Sequence, residues 1–245
     1  MTLRTEKNRQ KNNLVNDLKL LSSAEKAKHL QRFFKTGVGQ YAHGDVFWGI
    51  TVPLVRKIAY THKHLEVTQL EKLLEYKVHE VRLCTLLIMV LKSKTLPEQM
   101  YNLYLKKTAF INNWDLVDLS APTIVGDFLL NKNCKNCNNC SVLYKLAESN
   151  ILWEKRIAIV ATFAFIKQGN FEHTLKIAQI LMNDKHDLIH KAVGWMLREV
   201  GKRCSVIVLE NFLELHAGKM PRTTLRYSIE RMPDKKRKYF MQIKS

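Results

Sequence analysis

Glycine and proline are scarce in this chain, nine and five among 245 residues. A fold of many short strands needs far more turn punctuation than that, so an all-β sandwich or barrel is excluded. Long apolar runs are also missing. The two longest, 83–91 and 157–166, fall well short of the roughly 20 residues that a membrane-spanning helix requires. Acidic residues are few: 22 Asp and Glu stand against 40 Lys and Arg, a formal net charge of +18. Cysteine is limited to Cys84, Cys134, Cys137, Cys140 and Cys204, an odd number that points to reduced thiols rather than a disulfide framework. Residues 1–13 are polar and charged, so no secretory leader is expected and a soluble intracellular protein follows.

What the chain does have is helical periodicity. Leu14, Leu18 and Leu21 recur at helix spacing, as do Leu83, Leu86, Leu87 and Val90, and later Leu188, Ala192, Trp195 and Met196. No alternation of period two runs through it. The class is all-α. A longer repeat lies beneath: segments 79–88, 113–122, 152–161, 188–197 and 221–230 recur every 35–40 residues or so, each preceded by another amphipathic helix. A two-helix unit near 40 residues is the mark of HEAT-like repeats, which stack into a curved solenoid with the second helices along its concave face. One domain is therefore expected over 1–245. Two segments stand outside the repeat. Residues 35–53 hold four of the nine glycines and read as a structured loop, and residues 131–141 form a loop rich in Cys and Asn.

A basic excess of this size favours nucleic acid as partner, ahead of an anionic membrane surface or an acidic protein. Against that background Trp114-Asp115-Leu116-Val117-Asp118 is conspicuous. It sets a ring and a carboxylate one helical turn apart, and a carboxylate facing a polyanion is locally unfavourable. A positive charge developing on the substrate would offset the cost. Successive repeats place Arg156 after Trp153 and set Trp195 after His190, so Trp114, Asp118, Arg156 and Trp195 are the candidate site. Each also has a plain alternative, as core ring, inter-repeat ion pair or cap. Cys134, Cys137 and Cys140 have the spacing of a metal clip but no fourth ligand nearby, and their Asn- and Lys-rich surroundings suit an exposed loop. No metal and no cofactor are assigned. Candidates for phosphate contact are Arg56, Lys57, Lys191, Arg198, Lys202, Arg203, Lys219, Arg222 and Arg226, while Lys235, Lys236, Arg237 and Lys238 read first as a solvated helix end.

The stretches 47–59, 112–130, 150–159 and 188–203 together resemble the AlkD-like family of DNA alkylation repair glycosylases, which are built from HEAT-like repeats. The resemblance rests on the ordered set Trp114-Asp115 with Asp118, Trp153 with Arg156, and Lys191-Ala192 with Gly194-Trp195, Leu197, Arg198 and Glu199. It implies hydrolysis of the N-glycosidic bond of N3- and N7-alkylpurines in double-stranded DNA, with the base left in the stack. It also implies roles: Asp118 beside the sugar, Trp114 and Trp195 against the backbone sugars, Arg156 on a phosphate. The expected protein is a monofunctional enzyme and a monomer, without membrane attachment, in the cytoplasm or at the nucleoid, or in a nucleus. The alternative is a non-catalytic solenoid that binds damaged or branched DNA. The chain departs from the better-known members at Thr51, where they carry Gln after Gly-Ile, and in a longer glycine-rich loop, so substrate range does not carry over.

Overall fold

A computed structural model of the chain describes residues 13–131 and 140–243. Among the described residues every regular element is helical, and the one β-type pairing is an isolated bridge between Val46 and Val78. The helices are α1 (Asn13–Lys19), α2 (Ala24–Phe33), α3 (Val52–Thr61), α4 (Val67–Leu74), α5 (His79–Lys92), α6 (Pro97–Lys106), α7 (Trp114–Ala121) and α8 (Phe128–Asn131). They continue with α9 (Ser141–Ala147), α10 (Leu152–Ala161), α11 (Phe163–Ile166), α12 (Glu172–Ile180), α13 (Asp187–Arg203), α14 (Val206–His216), α15 (Arg222–Ser228) and α16 (Asp234–Gln242). A six-residue π-helical turn, Pro122–Asp127, joins α7 to α8. The helices α4–α5, α6–α7, α9–α10, α12–α13 and α14–α15 follow one another in the order that the repeat predicts, and the fold class is that of an α-α superhelical repeat.

Packing divides the chain into two compact units, Met1–Leu116 and Val117–Ser245. The boundary falls inside α7, not in a connecting loop. In the first unit α5 is the centre. Every residue from His79 to Met89 is buried, and α1, α3, α4 and α6 pack around it. A helix that is shielded all round needs no polar face, which is why 83–89 is apolar but for Thr85, whose hydroxyl donates to the Val81 carbonyl at 2.8 Å. Three of its buried residues are nevertheless charged, His79, Glu80 and Arg82, and all three bear on the glycine-rich loop. The loop proper ends at Thr51, two residues earlier than the sequence suggests, because Val52-Pro53 opens α3.

The Glu80 carboxylate accepts the backbone N–H of Trp48 (3.0 Å), Gly49 (2.7 Å) and Ile50 (3.2 Å), so one buried side chain satisfies three consecutive loop donors. Gly49 has φ +78°, and a Cβ there would come within 2.2 Å of the Ser23 carbonyl oxygen and 2.4 Å of the Ala27 nitrogen. Only glycine permits this seat against the start of α2.

In the second unit the second helices of successive pairs lie side by side. α13 packs between α10 and α15, and α9 and α12 contact each other in the row before them. Gly194, in the middle of α13, sets the spacing to α15: an added Cβ would meet the Thr224 carbonyl at 2.6 Å and the Tyr227 Cβ at 2.5 Å. The π turn packs on α10 and α11. Of the Cys/Asn loop, residues 132–139 with Cys134 and Cys137 lie outside the described residues, and Cys140 is buried ahead of α9.

Candidate functional site

The second unit holds the Asp118–Arg156 pair. Arg156, on α10, is 5% exposed, yet it carries a permanent charge. Its Nε donates to Asp118 Oδ1 at 2.9 Å and its Nη2 to Oδ2 at 2.8 Å, a two-pronged fork on one carboxylate. Its Nη1 donates to the Leu188 carbonyl at 2.6 Å, in the first turn of α13. The neighbouring Lys155 reaches Asp184, just ahead of α13, at 2.7 Å. α10 is thus tied to its successor by one bond to the backbone and one ion pair. Arg156 cannot turn toward solvent without giving up three bonds. The Asp118 side chain is 21% exposed, so the carboxylate stays in reach of solvent while the guanidinium fixes its orientation.

Trp195 stands in the same unit, half-buried on α13. Its ring centroid lies 6.1 Å from that of Phe163, over which Lys167 (5.8 Å) and Arg203 (5.1 Å) also sit. The three tryptophans of the repeat segments do not share one helical position. Trp114 is the first residue of α7, Trp153 the second of α10, and Trp195 lies two turns into α13; Trp153 is buried at 7% exposure. It belongs to the core.

Trp114 belongs to the first unit, one helical turn before Asp118 on α7. Its ring stacks on Phe34 (5.2 Å) and meets Phe33 edge-on (6.0 Å), and its Nε1 donates to the Tyr41 hydroxyl at 3.3 Å. The stack continues from Phe34 to Phe47 (5.1 Å) and from Phe47 to His79 (4.4 Å). His79 is 1% exposed and ends this row of rings. Its Nε2 lies 2.8 Å from Asp115 Oδ2 and its Nδ1 3.6 Å from Asp45 Oδ2, while Asp45 also binds Arg82 at 2.8 Å and Asn112 at 3.1 Å.

Burial pulls the His79 pKa down, but the charge of Asp115, the hydrogen bond to it and the nearby Asp45 carboxylate outweigh that and the repulsion of Arg82, raising it to about 9. Burial pushes Asp45 up, and the nearby His79 with the charge and hydrogen bond of Arg82 more than offsets it, so Asp45 is held below the ordinary carboxylate value. A cavity of about 300 Å³ opens beside this network, lined mainly by Phe33, Phe34, Phe47, Ile50 and Leu83, with Thr51 at its edge. The sequence reading missed His79, Asp45 and Glu80. Three charged residues in otherwise apolar or glycine-rich segments were the available signal.

The phosphate-contact candidates divide. Arg56, Lys57, Lys202, Lys219 and Arg226 are exposed. Lys191 pairs with Asp187 at 2.6 Å, Arg203 with Glu199 at 2.6 Å, Arg198 with Glu230, and Arg222 binds the Met241 carbonyl. An exposed pair such as Lys191–Asp187 contributes little and leaves its cation available to a phosphate, whereas Glu199 is buried and holds Arg203 more firmly. Among the described residues no group of three or more His, Cys, Asp or Glu could hold a metal ion, and no helix is long and apolar enough to cross a membrane.

A family model described as DNA alkylation repair enzyme matches residues 14–232. The chain belongs to that family. Its role accordingly lies in DNA repair. Among solved structures, a predicted DNA alkylation repair enzyme from Enterococcus faecalis matches with a TM-score of 0.68 at 15% sequence identity, over 87% of this chain and 97% of that one. At that identity the likeness shows the shared fold. Among curated proteins none matches.

Proposed function

We propose that the protein is a monofunctional DNA glycosylase that hydrolyses the N-glycosidic bond of N3- and N7-alkylpurines in double-stranded DNA, with the base left in the stack. The observation that carries this reading is the forked Asp118–Arg156 pair. Alkylation at N3 or N7 leaves the purine cationic, hence a good leaving group that needs little general-acid help. The barrier is the positive charge that grows on the sugar as the bond stretches. A carboxylate held in one orientation stabilises that charge and orients the attacking water, without reorganising at the moment of reaction.

Arg156 supports the same step from behind. By neutralising Asp118 in part, it lowers the cost of bringing a carboxylate up to a polyanion. A phosphate contact by Arg156, as the resemblance implies, needs a donor beyond the three bonds it makes here. Trp195 and Trp114 are assigned to the sugars flanking the lesion, and the exposed cations to phosphates. The enzyme acts as a monomer, in the compartment that holds the genome.

The test is incubation of the full chain with a duplex containing N7-methylguanine, with free base followed by chromatography. Release above the spontaneous rate is expected. No release with tight DNA binding intact would leave the non-catalytic reading standing in its place.

A further inference from the structure

The last helix holds basic residues that the family match does not reach, since the matched residues end at 232 and α16 begins at Asp234. Four cations follow in a row, Lys235, Lys236, Arg237 and Lys238. Their place is locally unfavourable, because the first two turns of a helix carry the positive end of its dipole. The structure separates Lys236 from Arg237 and Lys238. Lys236 pairs with Glu210 of α14. Together with the Tyr239 hydroxyl, which donates to Glu214 at 3.1 Å, the bond from Arg222 to the Met241 carbonyl and the buried Phe240, it fastens α16 to α14 and α15. Arg237 and Lys238 are not part of that fastening. They line a cavity of about 480 Å³ together with Arg226, Ile229, Asp234 and Met241.

Three cations and one carboxylate line this cavity. The carboxylate, Asp234, bonds Arg237 at 3.0 Å, but its side chain is 85% exposed and that of Arg237 50%. An ion pair so open to water contributes little, so Arg237 exchanges it for a stronger anion at small cost. The guanidinium groups of Arg226 and Arg237 match the tetrahedral oxygens of a phosphate, and Lys238 adds a point charge. Ile229 and Met241 supply an apolar floor of the kind that a sugar packs against. We propose that this cavity is a backbone-phosphate subsite, which takes a phosphodiester of bound DNA where α16, beyond the residues that the family match reaches, meets Arg226 and Ile229. The proposal rests on the reading that the protein binds DNA.

The experiment measures DNA affinity of the full chain against salt concentration by fluorescence anisotropy. It compares the wild type with Arg237→Gln/Lys238→Gln and with Lys145→Gln/Lys176→Gln, a control with the same change of charge at two exposed positions on α9 and α12. Two lost contacts lower the salt slope by about 1.8 units. The expected result is that loss in the first variant, an unchanged slope in the control, and recovery in Arg237→Lys/Lys238→Arg. Recovery in the charge-preserving variant separates lost contacts from lost folding. A wild type that binds DNA while both neutral variants keep its slope overturns the subsite and leaves the DNA reading standing. An equal drop in the two neutral variants overturns it as well, since net charge then accounts for the effect. Saturable binding of inorganic phosphate that depends on Arg237, with the slope unchanged, assigns the cavity to a free anion instead. A wild type with no DNA affinity overturns both the subsite and the function.

Discussion

Helix α7 carries two carboxylates, one in each unit, and they meet different partners. Asp115, in the first unit, is 17% exposed and bonds His79; Asp118, in the second, is 21% exposed and bonds Arg156. Exposure does not tell them apart. The chemistry of the partner does. His79 gives up its proton as pH rises past about 9, whereas a guanidinium stays charged throughout the range in which the protein folds. The first carboxylate is linked through His79 to the group of Asp45, Arg82 and Asn112, which secures the start of α7 and with it the Trp114 ring. The second is held by a permanent charge that fixes both of its oxygens. A group that must act on a substrate needs the second arrangement. A group that anchors a helix is served by the first.

The comparison can be broken from the Asp118 side. Arg156→Met removes the cation and leaves a half-buried carboxylate without its fork, which destabilises the protein by about 3 kcal/mol. Urea denaturation at pH 7 reads this as a lowered midpoint with an unchanged m-value; a loss below about 1 kcal/mol would mean that the pair holds nothing in place.

From the Asp115 side the lever is pH. A folded His79 pKa raised from 6.5 to about 9 means that the native state keeps a proton which the unfolded chain releases. The stabilisation is complete below pH 6.5 and is lost as pH rises through 9. It is on the order of 3 kcal/mol at most. Denaturation between pH 6 and 10 should show this decline, and His79→Gln should flatten it, with no matching pH response from the Asp118–Arg156 pair.

The smallest expected effect sharpens the placement of Trp195. Gly194→Ala forces α13 and α15 apart and costs about 1–3 kcal/mol. Tryptophan fluorescence should shift as the Trp195 contact with Phe163 loosens, while the alkaline decline set by His79 stays as it was.

Much of the fold was legible because it depends on local periodicity. The repeat segments starting at 79, 113, 152, 188 and 221 correspond to helices starting at His79, Trp114, Leu152, Asp187 and Arg222. Spacing in sequence translates directly into helix pairs when each pair buries its own apolar stripe. The site was legible in part. Asp118 and Arg156 were named from the motifs, and the structure brings them together. That the fork would consume both carboxylate oxygens was not visible, because a helix-to-helix distance is no property of either segment alone. The same limit hid the His79 network, whose partners stand 36 residues apart, and the grip of Glu80 on the loop around Gly49, about 30 residues away. Sequence alone left open whether each ring serves a core or a surface, because an aromatic suits both; Trp153 serves the core.

The claim that Asp118 is the group that acts on the sugar is tested most directly by Asp118→Asn, which keeps the shape of the side chain and removes its charge. Single-turnover release of N7-methylguanine from duplex DNA should fall by at least about 10²-fold, with DNA affinity within a few-fold of wild type. Release as fast as that of the wild type would contradict the assignment.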